Sequence, residues 1–204
     1  MQFKLCGNVR IDVKKSNIDS LSMSSHKFYG PKGVGVLYVR KEINFIRQQD
    51  GGHQENEKRA GTENVPGIVG TGKAIEIAYN NFEENVRKEK YLRDLYIKAV
   101  LNRIDRVHVN GSLDRRLPGN SNISFIGIRG ADLVELLNEK GICASSGSAC
   151  SSGIIKPSPV LLNMGYGVNV AGSALRVTFG KYNTVEDVRY LVDSLEEIVK
   201  KNRK

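Results

Sequence analysis

A lysine set among small hydroxyl residues, a histidine and a glycine-rich turn is the first place in this chain where chemistry could occur. The segment Ser22-Met23-Ser24-Ser25-His26-Lys27-Phe28-Tyr29-Gly30 places Lys27 at the end of an apolar run. A lysine that forms a Schiff base with an aldehyde cofactor must be anchored on a rigid element, close to donors that hold the cofactor's phosphate. Ser24 and His26 could supply those donors. The alternative is that His26-Lys27 is an ordinary solvated loop.

Two short strands would position this lysine. The apolar residues Ile18, Leu21 and Met23 predict a strand that runs into the loop, and the range 34–39 predicts a second strand after a turn rich in glycine and proline. Lys27 would then lie at a strand end.

Cys150 is the second residue with chemical potential. It lies in Ala144-Ser145-Ser146-Gly147-Ser148-Ala149-Cys150-Ser151-Ser152-Gly153, a run of small residues that predicts a mobile, exposed loop. Mobility and exposure suit a cysteine whose thiolate acts as a nucleophile. Cys143, between Ile142 and Ala144, is interpreted as a structural core cysteine, and Cys6 is given no role. The chain has 3 cysteines without CxxC spacing, so neither a disulfide framework nor a closed zinc site is expected. The expected location is a reducing cytoplasm.

Arg176 lies in the alternating segment 174–179, which predicts a buried strand. A buried guanidinium without a partner is costly, so Arg176 requires an anion. That anion could be a substrate carboxylate or an internal Asp or Glu, and the residues alone leave both open.

Four motifs in order resemble the cysteine desulfurases of the NifS/IscS type, which are pyridoxal phosphate-dependent members of the class V aminotransferase family. The resemblance runs from about Gly7 to the C-terminus, and four ordered matches are far more specific than one. The motifs are Ser24-x-His26-Lys27 with Tyr29-Gly30-Pro31-Lys32-Gly33-Val34-Gly35, then 51–55 leading to Arg59-Ala60-Gly61-Thr62-Glu63-Asn64, then Ser145-Ser146-Gly147-Ser148-Ala149-Cys150-Ser151-Ser152, and Leu175-Arg176-Val177-Thr178-Phe179-Gly180.

The resemblance implies an α/β fold that is the C-terminal part of a pyridoxal phosphate enzyme of fold type I. The chain would contain a remnant of the large cofactor domain, joined through a long helical link (1–109), and a small α/β C-terminal domain (110–204).

The resemblance also implies roles for single residues. Lys27 would hold pyridoxal 5'-phosphate, with Ser24, His26 and Thr62 as further cofactor-binding residues, and Arg176 would bind the carboxylate of L-cysteine. Cys150 would take the sulfur as a persulfide, leaving L-alanine, and could act through that persulfide as a transient iron-sulfur ligand. Implied partners are a second copy of the chain, because the residue matching Thr62 reaches the neighbouring subunit's cofactor, and an iron-sulfur scaffold or another sulfur acceptor.

One departure from the family concerns length. Members are considerably longer, and their aspartate facing the pyridine nitrogen would fall at about Met1 and their glutamine facing the ring hydroxyl at about Lys4. The expectation is a truncated desulfurase. The alternative is a catalytically inactive fragment that keeps a partner-docking or sulfur-acceptor surface. A second, milder departure is Asn56-Glu57-Lys58, before Arg59.

Helical periodicity begins at Val65, with Pro66 near the helix start, and polar residues 80–90 mark a bend. In the second part, 123–126 predicts a strand, 132–140 a helix capped by Gly141, and 142–144 a short strand. The closing helix carries a capping box, Thr184 with Asp187, and one apolar stripe at Val188, Leu191, Val192, Leu195, Ile198 and Val199.

Composition excludes the unusual classes. A hydrophobic content of 40% and a charged content of 26% describe a globular chain, and no apolar run is long enough to span a membrane. The net charge of +9 could attract nucleic acid, but the basic residues are spread over many elements without interleaved aromatic residues. We therefore expect neither a nucleic-acid nor a membrane partner.

Overall fold

The computed structural model describes residues 7–147 and 157–203, and the chain divides into two compact units, Met1–Glu84 and Asn85–Lys204. Strands and helices occur in both units, which confirms the α/β prediction. Within the described ranges, no helix is both long and apolar enough to cross a membrane.

The first unit contains the two predicted strands. Strand β1 (Ser20–Ser24) pairs antiparallel with β2 (Gly35–Val39), so that Ser24 lies opposite Gly35. A 3-10 helix, Ser25–Phe28, follows β1 directly. One irregular turn, α1 (Gln54–Glu57), and the long helix α2 (Val65–Asn80) complete the unit.

Helix α2 begins where the sequence predicts. The side chain of Asn64 accepts a hydrogen bond from the amide of Gly67, 3.2 Å away, and Pro66 occupies the first turn, where its missing N–H has no cost. The buried face consists of the small residues Gly67, Thr71 and Ala74, whereas large apolar residues such as Val69 are exposed. The helix therefore packs within its unit through close approach of its backbone.

The second unit is built on an antiparallel sheet of three strands, in the order β3 (Val107–Val109), β4 (Asn120–Phe125) and β5 (Ala174–Thr178). Helix α3 (Phe82–Arg103) begins three residues before the boundary between the units and contributes most of its length to this one. The elements are α3 (Phe82–Arg103), β3 (Val107–Val109), β4 (Asn120–Phe125), α4 (Gly130–Glu139), α5 (Pro159–Asn163), α6 (Val168–Gly172), β5 (Ala174–Thr178) and α7 (Val185–Asn202).

One hydrophobic core joins α3, α4 and α7 to the sheet. Tyr96, Phe125, Leu133 and Leu195 are among its fully buried members. The α7 prediction is confirmed: the hydroxyl of Thr184 accepts from the amide of Asp187, the Asp187 carboxylate accepts from the Thr184 amide, and every residue of the predicted apolar stripe is buried. Such a cap typically contributes about 1 kcal/mol.

Two predictions near the end of α4 are wrong. Residues 142–144 form no strand, because after Gly141, at φ +73°, only Ser145 reaches the edge of β5, in a single bridge to Arg176. Cys143 is exposed rather than a core residue. Burial alternates along this segment: Ile142 and Ala144 are half-buried against the core, whereas Cys143 between them is exposed.

Candidate functional site

Lys27 lies in the 3-10 helix at the end of β1. Ser24 precedes this helix in an extended conformation (φ −109°, ψ 123°), and its half-buried side chain makes no capping hydrogen bond in the part of the chain described. His26 and Lys27 are exposed. The chain leaves the turn through Tyr29, which adopts the left-handed conformation (φ 65°). The three predicted cofactor-binding residues of this motif therefore share one turn.

A buried serine fixes this turn to α2. Ser25 is fully buried, its amide donates to the carbonyl of Val34 (3.0 Å), and its Oγ lies 2.9 Å from Oγ1 of Thr71. Oγ1 of Thr71 also lies 2.7 Å from the carbonyl oxygen of Gly67. Since each hydroxyl has one proton, the geometry fits a chain in which Ser25 donates to Thr71 and Thr71 donates to Gly67.

Glycine is required on both sides of this contact. A Cβ on Gly30 would lie 2.0 Å from Ser25 Oγ and 3.1 Å from the Cβ of Ala74. A Cβ on Gly70 of α2 would lie 2.8 Å from a ring carbon of Pro31. The lysine turn and the helix are thus in backbone-level contact, so the backbone of Lys27 is held firmly while its side chain remains in solvent.

Thr62 is exposed in the loop that precedes α2. The loop is held by Gln54, whose Oε1 accepts from the amide of Gly61 at 3.1 Å. Before it, Glu55, Asn56 and Glu57 all adopt positive φ values (50°, 53° and 62°), and His53 Nδ1 lies 2.5 Å from Glu57 Oε1 across this turn. A left-handed conformation costs a non-glycine residue roughly 1–2 kcal/mol, so the backbone is strained at Glu55, Asn56 and Glu57, of which the last two belong to the departure at 56–58.

Arg176 is half-buried on β5 in the second unit. Its Nη1 donates to the carbonyl of Gly147 at 2.7 Å, and its Nη2 donates to Oγ of Ser145 at 3.2 Å. Within the described ranges no carboxylate forms an ion pair with it, so the internal salt bridge is not observed there. The guanidinium instead fastens the segment 145–147 to the sheet, with Nη2 bonding a hydroxyl that an anionic ligand could replace.

The segment held by Arg176 leads directly into residues 148–156. Gly130 permits its close packing, since a Cβ there would lie 2.3 Å from the carbonyl oxygen of Ala174 and 3.1 Å from the Cβ of Ser146. Cys150 lies outside the described residues, as do Cys6 and the positions near Met1 and Lys4. Among described residues no group of three or more His, Cys, Asp or Glu side chains could hold a metal ion.

Sequence patterns do not identify several residues whose contacts the structure shows. Ser25 and Thr71 were indistinguishable from surface hydroxyl residues, although the spacing of Gly67 and Thr71 at i and i+4 was a usable signal. Ser145 belonged to a recognised motif, but its bond to Arg176 depends on sheet register. Glu89 on α3 also went unnoticed: it is buried, its Oε2 has no hydrogen-bond partner among the described residues, and burial raises its pKa to about 7 against a smaller opposing effect of Lys88.

Comparison with known proteins adds the family context. Residues 4–191 match the model of the aminotransferase class-V family. The chain is 49% identical over 199 residues to the cysteine desulfurase IscS of Clostridium botulinum, covering 97% of this chain and 50% of the relative. It is likewise 49% identical over 197 residues to a cysteine desulfurase IscS of Methanosarcina thermophila, covering 97% of this chain and 48% of the relative.

A solved structure of a NifS-like protein superposes with a TM-score of 0.86 at 36% identity, covering 96% of this chain and 50% of that one. The chain spans about half the length of the curated relatives it matches.

Proposed function

The chain belongs to the aminotransferase class-V family. On that premise we propose that it corresponds to the C-terminal half of a cysteine desulfurase and supplies the active-site residues of that half. The reaction would remove sulfur from L-cysteine, giving L-alanine and a persulfide on Cys150. The observation that carries the proposal is the Lys27 turn, in which an exposed amine and the side chains of Ser24 and His26 extend from a backbone fixed by buried contacts.

This donor set fits pyridoxal 5'-phosphate. The Lys27 amine can bond the aldehyde, Ser24 has no capping bond to compete for its hydroxyl, and His26 offers a ring nitrogen in the same turn. When bound, the cofactor supplies an electron sink for the bond-breaking step. The Lys27 amine would be suited to take the proton from the substrate's α carbon, because it is an exposed base on a firmly held backbone.

Arg176 is proposed to bind the substrate carboxylate. A guanidinium can contact a carboxylate through two parallel hydrogen bonds, and the bond from Nη2 to Ser145 is the longer of its two described bonds. Substrate binding would exchange that bond for a charged one. The bond to Gly147 could persist and keep residues 145–147 against the sheet.

Cys150 is proposed to be the sulfur nucleophile. Its thiolate would attack the sulfur of L-cysteine, a new S–S bond would form, and the substrate's C–S bond would break. The carbon would keep the electron pair of the broken bond and later take up a proton to give alanine. The outer sulfur of the persulfide would then pass to a thiolate of an iron-sulfur scaffold or another acceptor, with the S–S bond breaking and Cys150 leaving as a thiolate. Before that transfer, Cys150 could act through its persulfide as a transient iron-sulfur ligand.

The remaining assignments follow the family. We assign 1–109 to a remnant of the large cofactor domain with its long helical link, and 110–204 to the small C-terminal domain. The boundary between the two compact units, at Glu84 and Asn85, differs from this assignment and lies inside 1–109. Thr62, exposed on a braced loop, would reach the cofactor phosphate of a second subunit in a homodimer. A reducing cytoplasm suits a free thiol nucleophile.

The direct test is alanine release from L-cysteine by the purified chain with pyridoxal phosphate. Lys27→Ala and Cys150→Ala should abolish release, whereas Lys32→Ala, in the same glycine-rich turn, and Cys143→Ala, at the exposed cysteine, should retain it. If Lys32→Ala and Cys143→Ala lose alanine release to the same extent as Lys27→Ala and Cys150→Ala, the roles assigned to Lys27 and Cys150 are wrong.

The family match over about half of each relative favours one alternative, a catalytically inactive fragment that keeps a partner-docking or sulfur-acceptor surface. Adding the separately produced N-terminal half of the Clostridium botulinum relative distinguishes the two. Alanine release only in the mixture, dependent on Lys27, would assign the activity to an assembled enzyme. No release in the mixture, with folded protein, would leave a partner-docking role.

A further inference from the structure

A cleft in the second unit has no role in the proposed desulfurase chemistry. It measures about 610 Å³ and lies between α3 and the loop 111–118. This volume is in the range of small-molecule sites, roughly 300–1,000 Å³. Four cationic side chains line it, Lys90, Arg93, Lys98 and Arg116, against the two carboxylates of Asp94 and Asp114.

One of these cations is already neutralised. The Arg93 side chain is 4% exposed, and its Nε and Nη2 donate to Oδ1 of Asp94 at 2.8 Å and 2.6 Å. Its Nη1 donates to the carbonyl of Leu117 at 3.3 Å, which ties α3 to the loop. Arg93 therefore lines the cleft with its charge already paired by Asp94.

Arg116 is not neutralised in this way. Its Nε and Nη2 donate to the carbonyls of Ser112 and Asn110, both at 2.7 Å, so its described hydrogen bonds are to uncharged acceptors. No carboxylate within the described ranges forms an ion pair with it. Burial, together with repulsion from Arg93, lowers the pKa of Arg116 against smaller opposing effects of Tyr166 and Asp94, which is the response of a cation that a further anion would stabilise.

The rest of the lining suits an amphipathic ligand. Lys90 and Lys98 are exposed on the same helix, eight residues and about 12 Å apart along the axis, so their amines can approach different ends of one small molecule. Leu101 and Leu113 also line the cleft and are 47% and 52% exposed, which leaves apolar surface for a ligand to cover.

We propose that this cleft binds a small organic anion, with a phosphate or carboxylate group against Arg116 and the apolar body against Leu101 and Leu113. The site is independent of Lys27, Cys150 and Arg176. It therefore stands or falls separately from the desulfurase proposal.

The test is isothermal titration of the full chain with three probes of similar ring size: phenyl phosphate, benzoate and benzyl alcohol. We expect at least one of the two anions to bind, and benzyl alcohol to bind at least tenfold more weakly. Whichever anion binds more tightly identifies the head group. Equal affinity for benzyl alcohol, or no binding of either anion, would overturn the proposal.

Variants locate the site. Arg116→Gln should weaken binding of the preferred anion roughly tenfold, because a charged hydrogen-bond donor is lost. Arg115→Gln removes the same charge from the adjacent residue, which does not line the cleft, and should leave affinity within about twofold. Lys98→Gln, at an exposed position, tests the rim without disturbing the loop and should weaken binding about threefold. Unchanged affinity in both Arg116→Gln and Lys98→Gln would place the binding elsewhere.

Discussion

Replacing Glu89 by glutamine should remove a loss of folding stability that the second unit suffers as the pH rises. Glu89 is 6% exposed, and its Oε2 lies 3.3 Å from where a Cβ of Gly119 would stand, with no hydrogen-bond partner among the described residues. Burial raises its pKa from 4.5 to about 7. Between these two values the folded protein holds a proton that the unfolded chain has released.

The pH dependence of folding stability follows from this difference in the pKa of Glu89. Because the folded state binds the proton more tightly, the contribution of Glu89 is present in full below pH 4.5, declines as pH rises through the window, and is lost above about pH 7. At about 1.4 kcal/mol for each pKa unit, the shift corresponds to roughly 3 kcal/mol. Glutamine keeps the shape of the side chain and cannot ionise. The free energy of unfolding of Glu89→Gln, minus that of the parent, should therefore be about 3 kcal/mol larger at pH 8 than at pH 4.5.

The assay is urea unfolding of parent and variant at several pH values, followed by hydrogen exchange of α3 amides so that the second unit is observed. Using the difference between the two proteins cancels the other titrating groups. Glu139→Gln, at an exposed glutamate of the same unit, is the matched control and should show a difference that hardly changes with pH. If the Glu89→Gln difference varies by less than about 0.5 kcal/mol across the range, Glu89 is not ionising inside the fold and the reasoning fails.

Three further changes test other contacts. Gly30→Ala places a methyl group 2.0 Å from a buried hydroxyl and should destabilise the first unit by about 1–3 kcal/mol in urea unfolding, whereas Gly72→Ala, with open space around it, should not destabilise it. Thr184→Ala removes the α7 capping box and should lower the free energy of unfolding by about 1 kcal/mol; a loss near zero would mean that the cap is redundant. Arg176→Gln should speed hydrogen exchange of the amides at 145–147, because the charged bond to Gly147 is lost, and unchanged exchange would contradict the anchoring role.

Local patterns predicted the elements well where one physical signal dominates. The closing helix was predictable because its capping box and its apolar stripe agree, and both are confirmed. The two strands around Lys27 were predictable because turn residues separate two apolar runs. In these cases the information lies within a few residues of the element itself.

Predictions failed where the outcome depends on partners distant in sequence. Cys143 has apolar neighbours, but its exposure depends on which side of an extended segment faces the core. The partners of Arg176 could not be predicted, since Ser145 and Gly147 reach it only through a single bridge to β5. The burial of Glu89 could not be predicted either, because its surroundings come from residues near 119 and 179 rather than from its own helix.

The core that joins α3 to α7 has a consequence for synthesis in the cell. Leu92 and Tyr96 of α3 share one buried cluster with Leu191 and Leu195 of α7, so helices about a hundred residues apart in sequence complete the same interior. The ribosome releases α3 long before α7 exists. During that interval the apolar face of α3 has no final partner, so part of the core is exposed to water until translation has passed Asn202.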